Sequence, residues 1–184
     1  IAQHGVAGGR RSAIEYCGEA ISALSIEERL TLCNMAVEFS AFTALIAPDQ
    51  TVLDYVSGRP FAPRAQEQAL ALTRWAELVT DEGATFDHEL SVDATEVLPM
   101  VSWGTSPEHA IPISGSVPNS AEANVLHYVG LEPGQAVAGL PVQGAFIGSC
   151  TNGRLSDLRS AAEVLKGRRV AASVRAVCVP GSHE

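Results

Sequence analysis

VQGAFIGSCTNGRLSDLRSAAEVLKGRRVAASVRAVCVPG, residues 142–181, holds three elements in one continuous run. The apolar segment VQGAFIG predicts a strand. LSDLRSAAEVLKG places Leu155, Leu158, Ala162 and Leu165 on one side of a helix, and SVRAVCVPG predicts a second strand. A β-α-β unit of this kind implies parallel strands joined by a right-handed crossover. In such sheets ligands gather where strands end and helices begin, because backbone N–H groups point outward there. Cys150 falls at that place, between Gly148 and Gly153, which permit a tight turn.

Upstream, SAIEYCG at 12–18 predicts a short strand. A helix is expected from about 26 to 45, with Ser25 as N-cap and Glu28 completing a capping box, and Pro48 just beyond its end. TVLDYVSGRPFAP predicts a short helix or turn leading into a proline-bounded loop. Ala65, Ala69, Leu72, Ala76 and Val79 predict an amphipathic helix over 65–80. In ATFDHELSVDA, Phe86, Leu90 and Val92 share one parity, as in a half-buried strand, and VLPMVSWG predicts another. The segment 105–124 contains three prolines and many small polar residues, so it reads as a connector between an α/β domain over 1–104 and the start of the next over 125–184. The chain opens on what resembles a helix end and closes just after a strand, the pattern expected of a fragment.

Composition narrows the classes of function. With 184 residues, 46% of them hydrophobic and 18% charged, the chain reads as globular rather than disordered. A formal net charge of −9 opposes a phosphate backbone, and the basic residues form only short clusters at Arg10–Arg11 and Lys166–Arg169, so nucleic acid is not an expected partner. Glu38 interrupts the most apolar region, so no membrane span is expected either. Cys17, Cys33, Cys150 and Cys178 form no C-x-x-C pair, and no secretory signal precedes them, which points to reduced thiols in a cytoplasmic protein.

Two places carry candidate chemistry. A thiolate at a helix N-terminus is electrostatically favoured, and Thr151 and Asn152 lie beside Cys150 as hydrogen-bond donors. That thiolate could be a nucleophile, which needs a histidine base, yet none of the five histidines is selected by position. It could instead be a metal ligand, which needs companions. The residues alone leave both open. The second place is the long helix, where Asn34 and Glu38 are four apart and share a face with Leu30, Ala41 and Phe42. A carboxylate among apolar groups needs a partner, whereas at a helix edge in water it needs none. Glu15, Trp75, Trp103, Ser106, His109 and the Arg10–Arg11 pair are read as structural.

Seven blocks, in order, resemble a known family: IEYCGEAI, LSIEERLTLCNMAVE, APDQTVLDYVSGRP, TDEGATFD, VSWGTSPE, FIGSCTNGRLSDLRSAAEVLKGRRVA and VPGS. They are similar to the middle of the large subunits of 3-isopropylmalate dehydratases, within the aconitase superfamily, and GSCTN together with TLCNMAVE is highly specific. The resemblance implies an aconitase-like three-layer α/β/α fold. It implies that Cys150 is one ligand of a [4Fe–4S] cluster, with two more in a C-x-x-C pair absent from this chain. Asn152 would line the site, Asn34 would support the cluster environment, and Glu38 would contact the departing hydroxyl or water. The implied reaction is a dehydration and rehydration that isomerises a 2-hydroxy di- or tricarboxylic acid, in leucine biosynthesis. The implied partner is a small subunit carrying a swivelling domain, and the fragment alone is expected to be inactive. A homoaconitase or aconitase-type hydratase, a scaffold domain without a cluster, and a thiol enzyme acting through Cys150 are the alternative readings.

Overall fold

The capping box at Ser25 and Glu28 forms as expected: the Glu28 carboxylate accepts the Ser25 amide at 2.8 Å, and Ser25 Oγ accepts the Glu28 amide. The computed structural model describes residues 1–149 and 151–182, in two units, Val6–Val97 and a second made of Ile1–Gly5 with the chain from Leu98 onward. The first unit contains β1 (Ala13–Glu15), α1 (Glu19–Ser22), α2 (Ile26–Glu38), β2 (Thr43–Leu45), α3 (Gln50–Val56) and α4 (Gln66–Ala76). β1 and β2 pair in parallel, Ala13 against Thr43 and Glu15 against Leu45, with α1 and α2 in the crossover. This is a β-α-β unit, and a parallel pair needs a long connection of this kind.

The helix expected to run to residue 45 stops at Glu38. The reason is a Schellman turn built without glycine. Ser40 takes a left-handed φ of 63°, its amide donates to the Val37 carbonyl, and the Ala41 amide donates back to Ala36. Ala36 and Ala41 are both buried, which gives the turn its apolar contact. The chain then re-emerges as β2. The Gly9 and Arg11 amides donate to the Phe39 and Ser40 carbonyls, so the loop before β1 is laced to that turn.

Arg29 holds the helices of this unit together. It is 4% exposed, and its guanidinium donates to both Asp49 oxygens at 2.8 and 2.7 Å, to the Leu24 carbonyl at 3.0 Å and to the Ser22 carbonyl at 2.8 Å. Asp49 also accepts the Val52 amide and so caps α3. One ion pair therefore fixes the end of α1, the body of α2 and the start of α3. Beyond α4 the predicted strand at 84–94 is absent. Phe86, Leu90 and Val92 are exposed, and a 3₁₀ turn at Ala94–Glu96 follows. Alternating side chains make a strand only where a neighbouring strand takes up the backbone hydrogen bonds, and none pairs with this segment among the described residues.

The second unit holds β3 (Met100–Ser102), β4 (Ala110–Pro112), α5 (Ala123–Val129), β5 (Gly144–Ile147), α6 (Leu155–Leu165) and β6 (Arg175–Cys178). β3 and β4 pair antiparallel, and β5 and β6 pair in parallel with Gly144 against Arg175 and Ile147 against Cys178. The β-α-β reading of 142–181 is thus observed in its strands, helix and direction. Within the stretch read as a connector lie β4 and Val117, the largest fully buried side chain among the described residues. Val117 donates to the Gln135 carbonyl and accepts from Gly134, and α5 buries Val125 and Leu126 beside it in sequence. With helices and two-stranded sheets of both directions, the chain has a mixed α/β fold.

Arg29→Ala should lower the free energy of unfolding by about 3 kcal/mol in a urea titration, because it strands a carboxylate and two carbonyls. The Arg29 guanidinium holds the Asp49 carboxyl below its ordinary value, so the ionised pair stabilises the fold above a pH of about 4 and that contribution is lost as pH falls through the lowered folded value. Asp49→Asn should flatten this acid limb of the stability curve. At the end of β5, Gly148 has φ 127°, and a Cβ there would collide with the Val179 carbonyl. Gly148→Ala should therefore destabilise the chain by more than about 1 kcal/mol, read as a lower thermal midpoint.

Candidate functional site

The loop after β5 is shaped by side chains on either side of the candidate cysteine. Ser149 Oγ donates to the Asn152 carbonyl and accepts the Asn152 amide, both at 2.9 Å. The Gly153 and Arg154 amides both donate to Asp157 Oδ2, again at 2.9 Å. Gly153, at φ 158°, is buried, and its carbonyl accepts the Gly181 amide at 2.8 Å, which ties this loop to the one leaving β6. Asn152 is exposed, while Thr151 and Asp157 are half-buried. Cys150 itself lies outside the described residues.

This geometry corrects one expectation. The start of α6 was to supply amide donors to the sulfur, yet the amides of residues 152–154 already have acceptors in Ser149 and Asp157. The acidic side chain at the third helical position occupies the place an external anion would take. Neither Ser149 nor Asp157 was singled out in the sequence. Its signal was there for Asp157: an acid three residues after Arg154, at the head of an amphipathic run.

Asn34 and Glu38 lie one turn apart on α2, in the first unit, and both side chains are exposed. Glu38 is the last helical residue, so the apolar surround expected from Ala41 and Phe42 is not there. Ala41 is buried in the Schellman turn, and Phe42 sits just before β2, largely exposed. Glu38 is therefore a solvated carboxylate at a helix end, one turn from an amide side chain. Asn152 belongs to the second unit.

Cys33, directly before Asn34, is half-buried, and burial raises its thiol pKa. The same packing raises the Tyr16 phenol, first through burial and then through Cys33. Cys17 and Cys178 are exposed thiols. Among the described residues no three His, Cys, Asp or Glu side chains come together to hold a metal ion. Those residues do not complete a cluster site. A cysteine thiolate is the kind of donor that an iron–sulfur cluster takes, and in the sequence Cys150 lies between the small residues Ser149 and Thr151.

The other marked residues have structural partners. Glu15 accepts the Thr80 hydroxyl at 2.6 and 2.7 Å, closing a 65-residue loop. Arg10 reaches His88 Nε2 at 3.2 Å. The His109 ring stacks on Trp103 at 5.1 Å, and its Nδ1 accepts the Thr105 amide at 3.2 Å. Trp75 lines a shallow depression of about 510 Å³ with Phe61, Leu70, Ala71 and Arg74, which contains none of the candidate site residues. No helix among the described residues is long and apolar enough to cross a membrane.

Comparison with known proteins places this geometry in a family. Residues 1–184 match the model of the aconitase family (aconitate hydratase). A 3-isopropylmalate dehydratase large subunit of Cupriavidus necator is 52% identical over 178 residues, covering 91% of this chain and 67% of that protein. 3-Isopropylmalate dehydratase large subunit 1 of Bradyrhizobium diazoefficiens is 49% identical over 192 positions, covering 99% of this chain and 40% of that protein. The chain thus spans between 40% and 67% of the length of these two relatives. With its whole length matched, the chain belongs to the aconitase family.

Proposed function

We propose that this chain is part of the large subunit of a hydro-lyase that interconverts 2-isopropylmalate and 3-isopropylmalate by dehydration and rehydration, the isomerisation used in leucine biosynthesis. The observation that carries this reading is identity of about half of all residues, over 91% or more of the chain, with two proteins named as 3-isopropylmalate dehydratase large subunits. The name of these relatives supports a small-subunit partner, here one carrying a swivelling domain. The chain then takes in the end of one α/β domain, over 1–104, and the start of the next, over 125–184, with 105–124 between them. A cytoplasmic location agrees with its cysteine usage.

In this reading Cys150 is one ligand of a [4Fe–4S] cluster, and two further ligands come from outside this chain. When bound, such a cluster supplies a Lewis acid for carbon–oxygen bond cleavage. The side chains of this chain do the rest. Asn152, exposed beside the cysteine, lines the pocket and offers an amide to a carboxylate or hydroxyl of the substrate. Asn34 supports the environment of the cluster. Glu38, solvated at the end of α2, donates a proton to the departing hydroxyl and takes one back from the returning water. The description of the family as aconitate hydratase supports a second reading, with a citrate-type substrate in the same site.

The test uses the whole large subunit containing this chain, assembled with its small subunit and loaded anaerobically with iron and sulfide. Cys150→Ser should abolish the visible absorbance of the cluster. Glu38→Gln should keep the absorbance and lower kcat by roughly 10²- to 10⁴-fold. A colourless wild-type assembly, or Glu38→Gln turning over at the wild-type rate, overturns the reading. Faster turnover of citrate than of 2-isopropylmalate selects the second substrate class.

A further inference from the structure

We propose that Asp157 is the positioning residue of the 149–154 loop that presents Cys150 and Asn152, an inference that rests on the role given to Cys150 above. Its Oδ2 accepts two consecutive amides, those of Gly153 and Arg154, at 2.9 Å each. One carboxylate oxygen thereby fixes the two peptide planes at which the loop turns into α6. On the other side of the cysteine, the Ser149 hydroxyl fixes the Asn152 peptide from both its amide and its carbonyl. The third hold is the Gly181 amide on the Gly153 carbonyl. The backbone at 152–154 is thus held at each residue, and the Ser149 and Asp157 side chains supply most of those bonds.

A second consequence concerns anions. The first turn of a helix attracts carboxylates and thiolates through its unsatisfied amides. Here Asp157 takes up the Gly153 and Arg154 amides from within, so a substrate carboxylate does not find those two donors and is left to side chains such as Asn152. Asp157 acts through the loop and makes no contact with substrate in this scheme. It belongs with the outer residues that orient metal ligands, whose loss commonly weakens metal binding by about 10- to 100-fold.

The test compares wild type, Asp157→Ala, Asp157→Asn and Ser149→Ala in the assembled large and small subunits. Iron content per chain, visible absorbance and the rate of bleaching in air are read together with amide exchange at Gly153 and Arg154. Asp157→Ala should retain iron roughly 10-fold less well and exchange both amides faster. Asp157→Asn keeps an oxygen facing the two amides and should recover most of the wild-type behaviour, and Ser149→Ala should shift retention in the same direction as Asp157→Ala. Wild-type bleaching in Asp157→Ala, or an Asp157→Asn variant as impaired as Asp157→Ala, overturns the proposal while leaving the role of Cys150 intact. If Asp157→Ala does not fold, Asp157→Asn and Ser149→Ala decide: wild-type iron retention in Ser149→Ala together with impaired retention in Asp157→Asn overturns the positioning role. A wild-type assembly without a cluster overturns the reading of Cys150 and this inference with it.

Discussion

A guanidinium removed from water has to be met by oxygen atoms on all sides, and Arg29 is met by four bonds from three separate parts of the chain. The cost of burying the charge is offset only because Asp49 is presented in the fork geometry that arginine prefers. That requirement places α3 against α2, and it holds the link between α1 and α2 closed through the Ser22 and Leu24 carbonyls. The orientation of α2 is therefore a polar decision more than an apolar one. Only Arg29 and Ala36 of its residues are buried. Asn34 and Glu38 inherit their direction from this clasp.

The second unit meets the same demand with a different device. At the end of β5 the backbone turns sharply, and each amide from 152 to 154 finds an oxygen supplied by a nearby side chain. Glycine is needed at 148 because the Val179 carbonyl lies where a Cβ would be, and at 153 a Cβ would sit tightly against the Ser149 carbonyl at 3.2 Å and the Gly181 amide at 3.3 Å. Both units are thus built on a parallel strand pair crossed by a helix, and in both the candidate residues sit where the helix begins or ends. In α2 they occupy its last turn. In the β5 loop they precede the first turn of α6.

Much of this was legible in the sequence where one local signal decided the outcome. Ser25 with Glu28 announced the start of α2, and the 142–181 run announced a parallel pair, because capping and hydrophobic period act within a few residues. The end of α2 was not legible. Ser40 adopts a conformation that glycine usually supplies, and only the buried contact of Ala36 with Ala41 makes it worthwhile. The alternation in 84–94 misled for the opposite reason: it satisfies the pattern of a strand without a neighbour to pair with. α5 went unread because its signal is short and its burial comes from Val125 and Leu126 alone. Asn34 and Glu38 were singled out by their spacing and by the family resemblance, and of the two settings read for Glu38 the structure shows the helix edge in water, because the helix ends at that residue.

The choice between a nucleophilic and a ligating cysteine also turns on backbone accounting. A nucleophilic thiolate at a helix start draws its stability from amide donors and a nearby base. Here the amides of residues 152–154 are already bonded to Ser149 and Asp157, so they are not free donors. A cation removes that difficulty, because a thiolate bound to iron shares its charge with the metal and needs few hydrogen bonds. The bonded amides at 152–154 therefore support the ligand role proposed for Cys150 over the nucleophilic one.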